Sequence, residues 1–398
     1  MERINLQPMV DACAEAGGGR VTVPTGEYVT GTIVLRDNVE LYIPAGAALI
    51  ASDDPADYPQ PSSERWNVSK APRHDGRSLI YADGVRNASV TGEGTIDCRG
   101  TDYCEEDPSP GRVNALRRTP RCFLPRVMLF VCCEGVELRG FTLRDAPAGW
   151  SVWLTGCADC IVDGVRLLAD REMPNADGLH INCCRDVRVS NCRFETGDDA
   201  LVIRAFTEPH LAPLPCERIT VTNCVLMSNS SAVRVGWCGD GEIRDCVLSN
   251  LAIHDSVNGL VFQLPYFESR AADQGTETTR VWQISFQNIV MNNVFFEPIH
   301  VSVADGVRAE LSELRFEGIQ AVSRRMPRFS GTADFPIRDV TLRGCRFEVV
   351  QRLNTPYRIP DGYWDERSMD GMPYVRRVER LRMDEVEFNN EKDYAKEG

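Results

Sequence analysis

Short apolar runs separated by turn residues dominate the chain, and helical spacing of apolar residues is confined to its start. There Leu6, Val10 and Ala14 recur at helical intervals ahead of Gly17-Gly18-Gly19, which predicts an amphipathic helix over residues 5–16. Val21-Thr22-Val23-Pro24, Thr32-Ile33-Val34-Leu35 and Val39-Glu40-Leu41-Tyr42-Ile43 follow as β-type runs, punctuated by Gly26, Gly31, Asp37-Asn38 and Pro44-Ala45-Gly46. Two polar excursions, 52–77 and 98–125, then interrupt the pattern.

From residue 133 the pattern repeats. Cys133-Glu-Gly-Val-Glu-Leu-Arg-Gly-Phe-Thr-Leu aligns with Cys157-Ala-Asp-Cys-Ile-Val-Asp-Gly-Val-Arg-Leu, and the same template fits from Cys184, Cys216 and Cys238, then more loosely from Val281, Gly306 and Ile337. The template stays constant while the step between starts varies from 22 to 43 residues, so strands are kept and loops absorb the difference. A unit of two or three short strands cannot bury an apolar face alone, and successive units must stack with parallel strands ~4.8 Å apart. An antiparallel sandwich would not produce this self-similarity. The expected fold is therefore all-β, a single-stranded right-handed parallel β-helix with a short N-terminal capping helix. One domain is expected over 1–398, with the cap in 1–20, loop insertions at 98–125 and 264–280 that wall one face, and a frayed tail at 389–398.

The alignment also predicts columns. Cys192, Cys224, Cys246 and Cys345 share one template position, and Leu143, Leu167, Phe194, Leu226, Leu248 and Phe347 lie two residues on, as stacked inward ladders. In the strand before each template start, period-two alternation turns Trp153, His180, Val202, Arg234 and Val261 outward as one column. Asn182, Arg204, Gly236 and Gln263 form a second.

Chemistry concentrates where acidic corners precede two of these strands, at Asn175-Ala176-Asp177-Gly178 and Gly197-Asp198-Asp199-Ala200. Asp-Gly and Asp-Asp corners are also ordinary turns. Here, however, two like charges stand side by side with a third about one rung away, which costs stability unless one proton is held, the condition that separates acid from base roles. Trp153, His180, Arg204 and Arg234 in the neighbouring columns complete a sugar-binding inventory of a ring, donors and acids.

Composition narrows the classes. A net charge of -14 with no basic stripe argues against nucleic acid, and no window approaches the ~20 apolar residues of a membrane span. Residues Met1 to Asn5 carry no positively charged segment followed by an apolar run, so a cytoplasmic protein is expected, or a secreted one whose leader has been removed. The sixteen cysteines are expected reduced, as small core residues. Cys157 and Cys160 have a zinc-like spacing without a second matching pair, and the five histidines do not suit a histidine-rich metal site.

These motifs resemble those of family 28 glycoside hydrolases, the polygalacturonase-like parallel β-helix enzymes, over almost the whole length. Asn175-Ala176-Asp177-Gly178 is similar to the family's N-T-D-G and Gly197-Asp198-Asp199-Ala200 to its G-D-D-C. The opening Gly18-Gly19-Arg20-Val21-Thr22-Val23-Pro24-Thr25-Gly26, Gly31-Thr32-Ile33 and Gly46-Ala47-Ala48-Leu49 also resembles bacterial members. The resemblance implies inverting, single-displacement hydrolysis of a pectic or related plant-type glycan, without metal or organic cofactor. It implies Asp198 as general acid and Asp177 with Asp199 as activators of water, with an oligosaccharide or polysaccharide as partner.

Two family motifs are replaced. Ser230-Ser231-Ala232 stands for G-H-G, with Ser231 at the histidine, and Val261-Phe262-Gln263 stands for R-I-K. The lost Arg and Lys hold a galacturonate carboxylate through charge-assisted bonds worth roughly 1.5–3 kcal/mol each, so plain homogalacturonan is not the expected substrate. Arg234 is either a substitute cation or a solvated surface residue, and Arg204 is a second cation. His180 either serves the proton network or steadies a rung. Asn175, Trp153 and Gln263 complete the expected substrate-binding set. His210 is a candidate to fold over the site, and Trp237, His254, Tyr266 and Glu268 to close one end of a groove. A polysaccharide lyase on the same fold is the first alternative, although it needs a cation to neutralise a uronate. A non-catalytic glycan-binding β-helix is the second.

Overall fold

The computed structural model describes residues 1–72, 75–107, 116–119, 126–147, 149–264, 278–350 and 371–390. Short strands pair in parallel with strands one turn away, giving a right-handed β-helix. The residues pack as two compact units, the first running to Asp198 and taking in Thr207–Leu214, the second made of Asp199–Phe206 and the chain from Pro215 onward. Among the described residues no helix is long and apolar enough to cross a membrane.

One sheet carries the candidate chemistry in both units. In the first unit it contains β1 (Ile33–Val34), β2 (Ser78–Asp83), β3 (Arg126–Val131), β4 (Trp150–Thr155) and β5 (Leu179–Asn182), each in parallel register with the next. In the second it contains β6 (Leu201–Arg204), β7 (Ser231–Val235), β8 (Asn258–Leu264), β9 (Ile299–Val303), β10 (Arg328–Ser330) and β11 (Tyr374–Arg376), stacked likewise.

The expected helix is α1 (Gln7–Glu15), with Leu6 and Val10 buried beneath it and Gly17 and Gly18 following at left-handed φ. Its first residue caps the sheet. The Gln7 amide donates to the Val34 carbonyl at 3.0 Å and accepts from the Val34 N–H at 2.8 Å, so both polar groups of an edge strand are answered.

Inward ladders form as alternation predicts, with one exception. In the first unit Leu143, Leu167 and Phe194 lie in register; in the second Leu226 leads to Ile253, Met291, Ala321 and Phe347. Leu248 does not belong to that series. It pairs with Val221 and Phe286, while Cys246 faces Ile219 rather than Cys224. Two different corners explain the misalignment. Asp245 before Cys246 and Asn223 before Cys224 both adopt left-handed φ, as does Asn250 before Leu251, the true counterpart of Cys224. A left-handed polar residue followed by a buried one marks both bends, so the motif recurs twice per turn.

No disulfide joins any two of the fifteen described cysteines. Those at bends donate S–H to the carbonyl two residues back, as Cys157 does at 3.6 Å, Cys160 at 3.5 Å and Cys345 at 3.3 Å. A small side chain that fills a corner and answers a carbonyl accounts for the recurrence of cysteine there.

The outward column is in register as expected, with Trp153 opposite His180 and Arg234 between Val202 and Val261. Its exposure is a different matter, because all five side chains are buried. The excursion after β1 covers this face in the first unit: Trp66 and Ala71 pack with Tyr81, Leu129, Val131 and Trp153 as a satellite core. Outward from the helix here means beneath a loop.

Candidate active site

In the first unit the corner before β5 is built around backbone contacts. The Ser151 N–H and hydroxyl both donate to the Asp177 carbonyl, at 3.0 and 2.7 Å. Met173 and Ala176 bury against Cys104 and Leu116, on strands Cys104–Glu106 and Leu116–Arg118, which pair antiparallel within the first expected insertion. A β-carbon at Gly197 would stand 2.1 Å from the Met173 carbonyl oxygen, so only glycine fits against the segment that leads to Asp177. Asn175 takes a left-handed φ of 54° and remains exposed. Its amide donates to Asp198 Oδ2 at 3.2 Å and accepts from Arg118 at 3.1 Å.

Asp177 is buried, and its Oδ2 lies 2.9 Å from His180 Nε2. The His180 ring is stacked on Trp150, with centroids 3.9 Å apart and 15° between planes. Trp150 in turn meets Trp153 edge-on at 5.2 Å, and the buried Arg126 guanidinium lies 4.5 Å from one indole and 4.8 Å from the other. Trp153 is thus a wall supporting the histidine. The reading of it as an open platform for a sugar ring is corrected by the cover of Trp66, whose ring lies 5.6 Å away.

His210 belongs to this unit, with Nε2 at 2.8 Å from the Thr155 hydroxyl, which also accepts from Asn182 at 2.9 Å. Burial brings its pKa down to about 4, so the ring is neutral at ordinary pH.

In the second unit the corner before β6 holds Asp199, also buried. Its Oδ1 accepts from the Ser230 hydroxyl at 2.9 Å and the Ser231 N–H at 3.1 Å, and its Oδ2 from Arg234 Nε. Burial pushes this carboxyl up, but Arg234, followed by Ser231 and Ser230, more than reverses that, and the group sits below the ordinary aspartate range. Arg234 is therefore neither a solvated surface residue nor a vacant ligand cation: a buried carboxylate needs a counter-charge, and Arg234 supplies it.

Arg204 is engaged as well. Its Nε donates to the fully buried Asp240 at 3.1 Å, and Asp240 also accepts from the Trp237 N–H at 3.1 Å. Trp237, half-buried, faces both cations, with Arg234 5.2 Å and Arg204 6.0 Å from its ring. Gln263 sits on the same face opposite Ser302. His254 does not join them. It lies on Glu242–Ser256, a strand of the other sheet, opposite Asn292 and 2.9 Å from Asp255. Tyr266 and Glu268 fall outside the described residues.

Trp150, Arg118, Arg126 and Asp240 escaped the sequence reading. Trp150 opens the strand that carries Trp153 three residues on, and a second tryptophan in that strand is the available signal. The others mark ion pairs and ring contacts between segments distant in sequence.

Fold and acid-lined corners together place this chain among the parallel β-helix proteins. It belongs to the glycosyl hydrolases family 28, whose model matches residues 13–334. A probable polygalacturonase of Vitis vinifera is 25% identical over 273 residues, 65% of this chain and 53% of that protein. The chain spans about half the length of that relative and of a second from Arabidopsis thaliana. The solved hyperthermoactive exopolygalacturonase from Thermotoga maritima shares the fold at a TM-score of 0.71 and 18% identity, over 96% of this chain and 87% of that one. The family 28 exopolygalacturonase of Yersinia enterocolitica does so at 0.65 and 17%, over 97% and 74%.

Proposed function

We propose that this chain hydrolyses a glycosidic bond of a pectic or related glycan by single displacement with inversion. Asp198 is the general acid on the leaving oxygen, and Asp177 and Asp199 activate the water. The observation that carries this reading is the treatment of Asp199. Two hydroxyl and amide donors and an arginine keep it ionised in a buried corner, as a base requires, directly before β6 and directly after a carboxyl that stays partly open to solvent and held by Asn175. His180 backs Asp177 in the same way a histidine steadies a general base.

The sugar at the cleavage point is not a free-carboxylate galacturonate. Val261 and Gln263 stand where the family has its cations, and the two arginines nearest in the outward columns, Arg234 and Arg204, are already bound to Asp199 and Asp240. A carboxylate arriving there would have to compete with buried internal partners.

The test is a reducing-sugar assay of wild type and Asp198→Asn on a panel of neutral and acidic pectic oligosaccharides. Activity on a neutral or mixed glycan, abolished by the substitution and without the absorbance of an unsaturated product, supports the reading. An unsaturated product means a lyase. Binding without cleavage across the panel means a glycan-binding protein, and strong activity on homogalacturonan refutes the substrate assignment.

A further inference from the structure

Past Val261 the outward positions of the second unit change character. Val261, His300, Arg328 and Tyr374 are in register on β8 to β11, and two residues along on the same face stand Gln263, Ser302, Ser330 and Arg376. At ~4.8 Å per strand, β10 lies four steps, about 19 Å, from β6 and the Asp199 corner. Apart from Val261 and Gln263, which stand at the family's R-I-K, none of these residues takes part in the motifs that carry the family resemblance.

One buried acid organises them. Glu297, at the corner before β9, bonds Arg325 at 3.3 Å and lies 3.6 Å from His300 Nδ1, and His300 Nε2 is 3.0 Å from the Ser302 hydroxyl. Burial alone would raise its pKa, but His300, Arg325 and Arg328 bring it down to about 2. Arg325 is spent on this acid. Arg328 also helps to keep Glu297 ionised, but without touching it: the guanidinium lies 4.7 Å from the Tyr374 ring, its Nε is buried without a hydrogen-bond partner, and among the described residues it makes no direct ion pair with a carboxylate. An arginine set on a ring, with an unanswered N–H and no direct contact with the acid it helps to hold ionised, keeps donors to offer an anion. Its neighbours on the face, Ser330 and Ser302, are hydroxyls suited to a sugar.

We infer that Arg328, with Ser330, Ser302 and Tyr374, forms a subsite for the carboxylate of an acidic sugar located several residues along the glycan from the bond that is cleaved. This rests on the hydrolase reading and sharpens it: the substrate is a mixed glycan, uncharged at the cleavage point and carrying a uronic acid farther on. An oligosaccharide must span about four strand spacings to engage both places, so short fragments gain nothing from Arg328.

The experiment separates binding from turnover. In the full chain carrying Asp198→Asn, calorimetric titration compares uronate-containing oligosaccharides of graded length with the same molecules after reduction of their carboxyl groups to alcohols. Arg328→Gln is expected to weaken long acidic oligosaccharides roughly 10- to 100-fold, to leave the reduced ones and short fragments unchanged, and to be partly rescued by Arg328→Lys. Equal loss on acidic and reduced oligosaccharides, no loss on either, or no binding of either form overturns the subsite. Thermal unfolding identifies an Arg328→Gln variant that fails to fold, in which case Arg328→Lys and the acidic-to-reduced ratio in its parent carry the test. Arg328-dependent selectivity in a protein that cleaves nothing would sink the hydrolase reading alone, and cleavage indifferent to Arg328 would sink the subsite alone.

Discussion

Arg234 reaches from β7 to the Asp199 carboxylate at the corner before β6, and both side chains are buried. Breaking such a pair from one side leaves an uncompensated charge, whereas replacing both partners removes the charge and its need together. Arg234→Ala is therefore expected to destabilise the protein by about 3–5 kcal/mol, and Arg234→Gln with Asp199→Asn to recover much of it. Denaturant unfolding of the two single variants and the double variant measures this. Additive losses would mean that the two groups act independently.

Alternation located the strands and the columns, because a β-helix exposes its period in every turn. Trp153 opposite His180 and Arg234 opposite Val261 were legible from spacing alone. What spacing does not carry is cover. Trp66, 87 residues upstream of Trp153 in the chain, covers the column in the first unit, and no local pattern announces it. The corners mark the acids in the sequence, while their partners emerge only in three dimensions: Arg234, by spacing a ligand contact or a surface residue, is a counter-ion. Leu248 was misplaced because both bends of each turn share one chemical signature.

Acid should destabilise the fold in two stages. His210 titrates near 4 rather than near 6.5, so the unfolded chain binds the extra proton first and stability falls as pH drops through that window. Asp199 and Glu297 have depressed values, so their contribution is present above the ordinary carboxylate range and is lost as pH falls below it. His210→Gln is expected to flatten the profile of unfolding midpoint against pH between about 6.5 and 4 while leaving the lower stage in place. An unchanged slope in that interval would show that His210 is not held neutral.

Trp150 stacks on the imidazole that contacts Asp177, so its effect should appear in turnover. Trp150→Ala is expected to lower kcat by roughly one to two orders of magnitude, since the imidazole loses the surface that orients it, and Trp150→Phe to retain most of the rate. Comparing kcat with the unfolding midpoint distinguishes orientation from simple loss of packing. A fall in midpoint with kcat intact would assign Trp150 to the scaffold.

Ser231 occupies the position of the family's histidine, yet restoring that histidine should not improve this protein. The serine is fully buried, its N–H donates to Asp199 and its hydroxyl accepts from Arg234 at 3.1 Å. An imidazole there overpacks the corner at a cost of about 1–3 kcal/mol and takes a partner from the arginine. Ser231→His is accordingly expected to lower both unfolding midpoint and kcat, and Ser231→Ala to cost less in each. If Ser231→His instead raised kcat, the packing of Ser231 against Asp199 and Arg234 would not be what excludes a histidine there.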